Sequence, residues 1–294
     1  MTKIALVRTN DRRTGIPAAL DLLGINPVQG KDVLLKPNFN TADDFPGSTH
    51  NDTLRHLVTK LRAMGAAGMT LGERSGPADT AAVLAEKGIP DLCRELGVRI
   101  IDFDELPQTE WLRIRPRLNS WRDGFEFAKP VLDAPCVVTT CCLKTHGYGA
   151  VFTMSLKLSI GMVRRRDMSK LHSSLPSMQK MIAEANAAYS PALVLMDAIE
   201  AYTDGGPMRG TRKQADVIVA GTDRIAIDAV GLAILKDLGS TSRIMDRGIF
   251  EQEQISRAVE LELGVSRPQE IEIKTNDAAG RAYAKRLTGI LRKG

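Results

Sequence analysis

Short apolar runs alternate with amphipathic stretches over the first hundred residues. Ile4 to Val7 reads as a strand, and Ile16 to Leu23 as a helix closed by Gly24. Val33 to Leu35 reads as a second strand that stops at Lys36-Pro37-Asn38, where proline ends the ladder. Thr49 to Asp52 offer helix-capping side chains, and Leu54, Leu57, Val58, Leu61 and Met64 then recur at helical spacing. Met69 to Leu71 is a third strand, leading into Gly72-Glu73-Arg74-Ser75-Gly76. Helices over 79–87 and 91–96 and a strand over 98–103 follow. This alternation predicts parallel pairing and an α/β fold: three layers, a mostly parallel sheet with helices on both faces.

The second half centres on 135–163. Cys136 to Cys142 is an apolar, β-branched run that predicts a buried strand, ending at Lys144, Thr145 and His146. Two glycines bracket Tyr148, and Val151 to Val163 predicts an apolar helix with a single charge, Lys157. Beyond it come a helix over 177–188 and a strand, Ala192 to Met196, ending in Asp197. A loop over 198–210, a strand from Val217 to Ala220 and a long apolar helix from Ile225 to Leu238 with a lone Asp228 follow. The tail reads as a helix from about 249, a strand over 271–273 and a basic helix. Residues 104–130 hold both tryptophans and read as an irregular insertion or cover. With no repeat or low-complexity linker, residues 1–294 are expected to form a single domain.

Charge narrows the partner. The net charge is +5, but acidic and basic residues are interspersed, and aromatics are 4%. A duplex binder leaves a basic stripe and a single-strand binder an aromatic platform. Neither is present, so nucleic acid is not the expected partner and a small anionic molecule is. No run is long and apolar enough for a membrane span, and the start lacks signal-peptide features, so a cytoplasmic protein is expected. A homodimer is compatible with these totals. Cys93, Cys136, Cys141 and Cys142 lack the repeated spacing of an iron–sulfur motif and read as buried thiols.

Polar clusters sit at the expected strand ends: Lys36 with Asn38, Glu73 with Ser75, Lys144 with His146, then Asp197 and Asp223. In a parallel sheet these ends share one edge, where ligands bind. His50 precedes a helix N-terminus, a place that favours anions. Lys157 and Asp228 stand alone in apolar surroundings, so each needs a partner, either the other or a ligand. Asp197, Asp204, Asp223 and Asp228 could together supply oxygens to magnesium, though without a fixed spacing; no cofactor is otherwise indicated. Gly205 to Gly210 with Arg209 could cradle an anion, and Arg164 to Arg166 could clamp one or form a solvated face.

The ordered set Lys36-Pro37-Asn38, Thr49-His50, Leu54 to Leu61, Met64-Gly65-Ala66 and Gly72 to Gly76 resembles the N-terminal half of the family called domain of unknown function 362. Lys144-Thr145-His146, Lys157 with Gly161, Asp197 with Gly206-Pro207 and Gly210, and Asp223 with Ala226 and Asp228 resemble its C-terminal half. The resemblance runs from about residue 31 to 239. It implies an α/β fold and little defined chemistry; the ferredoxin-like cysteine motifs of some members are absent. Two positions depart from the family's pattern: Leu158 stands where an Asn follows the lysine, and Asn51 where a Pro often follows the histidine.

The reading is an enzyme of isomerase or lyase type acting on a small anionic metabolite. His146, Lys144, Lys157, Glu73 and Asp197 are its expected catalytic groups, with His146 as acid/base. Lys36, Asn38, His50, Ser75, Arg209 and Asp228 are expected to bind substrate. Two alternatives remain open: a non-catalytic anion- or cofactor-binding protein, and a redox protein with a bound iron–sulfur cluster.

Overall fold

In the computed structural model, which describes residues 1–293, every predicted strand is present. In chain order these are β1 (Thr2–Arg8), β2 (Asp32–Lys36), β3 (Gly68–Glu73), β4 (Arg99–Asp102), β5 (Trp111–Ile114), β6 (Phe125–Ala128), β7 (Cys136–His146), β8 (Val151–Thr153), β9 (Leu193–Tyr202), β10 (Arg212–Gly221) and β11 (Ile271–Lys274). The main sheet has nine strands in the order β11-β1-β10-β9-β7-β2-β3-β4, with β8 paired to β7 alone. Pairing is parallel from β9 through β7, β2 and β3 to β4, and between β1 and β11; only β10 and β8 run against the rest. The sheet is therefore mixed and mostly parallel.

Helices cover both faces. One face carries α1 (Arg12–Leu23), α2 (Asn51–Ala63), α3 (Thr80–Glu86) and α4 (Ile89–Glu95). Their apolar stripes bury Ile16, Leu20, Leu54, Val58, Leu61 and Leu92 against Val33, Leu35, Val138 and Leu195. Beyond the short α5 (Lys129–Asp133), the other face carries α6 (Ser155–Leu158), α7 (Met168–Ser173), α8 (Met178–Ala185), α9 (Arg224–Leu238), α10 (Ser242–Met245), α11 (Glu253–Glu260) and α12 (Ala278–Lys293). Helix α9 is buried from Arg224 to Leu235, which is why its sequence reads apolar all round. No helix of the described residues is long and apolar enough to cross a membrane.

Residues 104–130 fold into short 3-10 turns and the β5–β6 hairpin, whose Trp111, Phe125 and Phe127 pack with Trp121, Met181 and Ile182. The hairpin and α8 thus cover the part of the sheet that α9 leaves open.

Four segments differ from the sequence reading. Strand β7 runs on to His146, because Leu143 packs in the core and β8 pairs with residues 144–146. The stretch 151–163 is not one helix: it is β8, a four-residue α6 and a 3-10 turn. Asp197 lies inside β9, which continues to Tyr202 because Ala198, Ile199 and Ala201 are buried. Strand β1 is separated from β2 by β10, β9 and β7, although a helix joins them in sequence.

Candidate functional site

Strands β2, β3 and β7 are neighbours and point the same way, so Lys36, Glu73 and His146 end up at one edge of the sheet. There they line a cavity of about 480 Å³ together with Asn38, Arg74, Lys144, Lys157 and His172. Pro207 and Met208 from the glycine-rich loop close one side, and Leu158, Ile160 and Met168 give it an apolar wall.

The basic groups differ in what holds them. Lys36 is about 1% exposed; its Nζ pairs with Glu73 Oε1 and donates to the Pro37 carbonyl at 2.7 Å. Glu73 also accepts from the Phe39 and Arg74 backbone N–H groups, both at 2.9 Å. Gly161 makes room for this pair, since a Cβ there would lie 2.9 Å from the Lys36 ammonium. Lys144 donates to the Gly47 carbonyl, the same oxygen that accepts from Asn38 Nδ2 at 3.1 Å. Arg74 is buried and donates only to neutral groups, the carbonyls of Ser75 at 2.8 Å and Ile160 at 2.6 Å and the Met168 sulfur. Burial brings its pKa down to about 10. Lys157 has neither a carboxylate nor a hydrogen-bond acceptor among the described residues; burial, with Lys144 and Arg74 nearby, lowers its pKa to about 8.

His146 is 8% exposed, and its Nδ1 accepts from the Tyr148 N–H at 3.1 Å. Burial, then the charges of Lys157 and Lys144, push its pKa down to about 2. It is therefore a neutral imidazole near pH 7, with its proton on Nε2 because Nδ1 is an acceptor. That tautomer donates a hydrogen bond. The simple expectation of an imidazole poised between two charge states does not fit these surroundings.

Other expected site residues are elsewhere. Asp197 accepts from Arg12 Nε at 2.7 Å and from the Thr53 hydroxyl, joining α1 and α2 to β9 on the opposite face. Thr53→Val removes one of these donors and is expected to cost about 1–2 kcal/mol in urea unfolding. His50 caps α2, its Nδ1 accepting from Asp52 N at 3.1 Å, and faces a separate hollow with Arg12 and Phe45. Ser75 is buried and donates to the Phe39 carbonyl at 2.7 Å. Arg209 is exposed and lies outside the cavity, which its neighbours Pro207 and Met208 line.

Asp228 does not meet Lys157. Its two oxygens accept from the backbone N–H groups of Ser155, at 2.8 Å, and Leu156, at 3.0 Å. It thereby caps α6 from outside, since Met154 provides no side-chain cap. Asn186 holds the same segment through the Leu156 carbonyl at 2.8 Å, and Arg224 in turn binds Asn186 and the Tyr189 carbonyl. The four aspartates considered for magnesium are dispersed: Asp204 binds Thr211, and Asp223 caps α9 and accepts from Val265 N. Among the described residues no three His, Cys, Asp or Glu side chains are grouped to hold a metal. All four cysteines are buried, and burial raises the Cys93 and Cys142 thiols to about 11. Of the Arg164–Arg166 run, Arg164 and Arg166 pair with Glu126 and Arg165 with Asp104.

Arg74, Tyr148 and His172 line the cavity without having been assigned a role from sequence, and Arg165 reaches it from the run read as an anion clamp or a solvated face. Arg74 stood in the Gly72–Gly76 run but followed a glutamate, as surface pairs do. His172 carried no periodic signal.

The family model described as domain of unknown function (DUF362) matches residues 33–233, more than half of the chain and every cavity residue named above. The chain belongs to the DUF362 family. Among curated proteins, this DUF362 chain is similar to a thylakoid-associated protein of Synechocystis sp., 26% identical over 263 residues, covering 83% of this chain and 75% of that one. Among solved structures it is similar to the lactate racemase apoprotein from Thermoanaerobacterium thermosaccharolyticum, with a TM-score of 0.52 and 13% identity, covering 97% of this chain and 86% of that one. At that identity the likeness is one of fold.

Proposed function

We propose that this DUF362 protein is an enzyme that moves a proton on a small anionic metabolite, an isomerase or a lyase, in the cavity at the ends of β2, β3 and β7. One observation carries the reading. Lys36 and Arg165 each have a carboxylate, whereas Arg74, Lys144 and Lys157 have none within 4 Å among the described residues. Three cations without a contacting carboxylate, only partly offset by the more distant Asp104, Glu73 and Asp43, favour an anion in the partly apolar cavity they surround.

The chemistry follows from their states. Lys157, with a pKa of about 8, has free amine available near neutrality and can take and return a proton. Neutral His146 donates through Nε2, which suits an oxygen that gains charge as a carbon–hydrogen bond breaks. Lys144 and Arg74 hold the carboxylate or phosphate. The buried Lys36–Glu73 pair braces the site and contributes to its field.

The test is exchange of substrate hydrogen with solvent. The protein is incubated in deuterated water with a panel of small carboxylates, and deuterium next to the carboxylate is read by proton NMR. The lactate racemase that shares the fold puts 2-hydroxy acids first in the panel. Exchange of one panel member is expected, slowed about 10²–10⁴-fold by Lys157→Ala. Exchange that is unaffected by Lys157→Ala removes that amine from the mechanism.

A further inference from the structure

We propose that Lys157 also acts as a nucleophile, holding a 2-oxo acid or a similar anionic carbonyl compound as an imine. The proposal rests on the anion site described above and names the class of substrate it takes.

The surroundings of the three cavity lysines select this one. The nitrogen of Lys36 is engaged by Glu73 and the Pro37 carbonyl, and that of Lys144 by the Gly47 carbonyl. An ammonium bound in this way has no lone pair to offer. The nitrogen of Lys157 has no such partner, and the side chain opens into a cavity walled by Leu158, Ile160 and Met168. The charges of Lys144 and Arg74, which line the same cavity, disfavour another positive charge on it and would seat a carboxylate beside it. At pH 7 its free-amine fraction exceeds that of an ordinary lysine by about two orders of magnitude.

The segment is also held against movement. Asp228 fixes the N–H groups of Ser155 and Leu156, and Asn186 fixes the Leu156 carbonyl and, at 3.1 Å, the Ser159 hydroxyl. Gly231 lets α9 approach closely, since a Cβ there would lie 2.4 Å from the Met154 sulfur. A nucleophile needs such a fixed position to meet the carbonyl carbon.

The step balances without an added oxidant or reductant. The lone pair of the neutral amine forms the carbon–nitrogen bond while the carbonyl π pair moves onto oxygen. One N–H proton passes to that oxygen, giving a carbinolamine. A proton from solvent lets the oxygen leave as water, and the nitrogen keeps one hydrogen in a protonated imine. Positive charge on that nitrogen then draws electrons from the neighbouring carbon, which eases loss of a proton there.

The experiment is reductive trapping. Wild-type protein, Lys157→Arg and, as a control outside the cavity, Lys180→Arg are incubated with pyruvate or with glyoxylate and treated with sodium borohydride, which delivers hydride to the imine carbon. Adducts are counted by intact mass and located by peptide mapping. Labelling of Lys157 in wild type and in Lys180→Arg, at least about tenfold above any other lysine and lost in Lys157→Arg, is the expected result. Butanone, which has no carboxylate, should label Lys157 less well. Failure of both acids to label Lys157, or labelling no greater than at surface lysines, overturns the proposal, and equal labelling by butanone overturns its anionic part. Deuterium exchange without trapping leaves the proton-transfer reading standing alone. Trapping without exchange leaves the imine and removes that reading.

Discussion

Glu73→Ala is expected to lower the stability of the protein by about 3–5 kcal/mol, the usual cost of removing one partner from a buried ion pair. Glu73 and Lys36 are each about 1% exposed, so water cannot replace the lost partner. The carboxylate also receives the Phe39 and Arg74 N–H groups, which would be left without an acceptor. Urea unfolding read by circular dichroism measures the loss. The double variant Lys36→Met/Glu73→Leu, which removes both charges, should recover much of it. If it is as unstable as Glu73→Ala, the damage comes from the two orphaned N–H groups rather than from the stranded ammonium.

Stability should also fall between about pH 4 and pH 7 because of Asp228. Burial raises its carboxyl from an ordinary value to about 7 in the folded chain. Between the unfolded and folded values the native state binds a proton that the unfolded state has released, so folding is favoured more at the acidic end. The contribution is fully present below about pH 4, declines as pH rises towards 7 and is flat above, a total of about 4 kcal/mol. Asp228→Asn removes this titration and, like the protonated carboxyl, keeps one acceptor, so the variant should be close to wild type at acidic pH and the more stable of the two at neutral pH. The informative quantity is the gap between wild type and variant, from urea midpoints at pH 5, 6, 7 and 8. It should move in the variant's favour as pH rises through 7 and then stay constant. A gap independent of pH would mean that Asp228 is ionised throughout.

Much of the sheet could be read from the sequence, for identifiable reasons. Strands β2 and β3 are short apolar runs cut off by Lys36-Pro37 and by Glu73, and the α2 stripe from Leu54 to Leu61 is regular. Lys36, Lys144, His146 and Lys157 do line one cavity. What could not be read is where a polar residue inside an apolar stretch finds its partner. Asp197 looked like a strand terminus because nothing near it in sequence shows Arg12 and Thr53 converging on it. Asp228 looked like a ligand group because its acceptors' partners are backbone atoms seventy residues earlier in the chain. The 151–163 stretch failed for another reason. A strand, one helical turn and a 3-10 turn, all buried, leave no periodicity to separate them.

The position of β1 has a consequence for how the sheet is completed. Its two neighbours, β10 and β11, begin at Arg212 and Ile271, so every ladder bond it makes reaches across more than two hundred residues. On a ribosome, β2, β3 and β4 have emerged and can join long before β1 has an edge to lie against. The opening strand is therefore among the last to dock, and until it does its unpaired N–H and C=O groups and its apolar side chains are open to pairing with other chains.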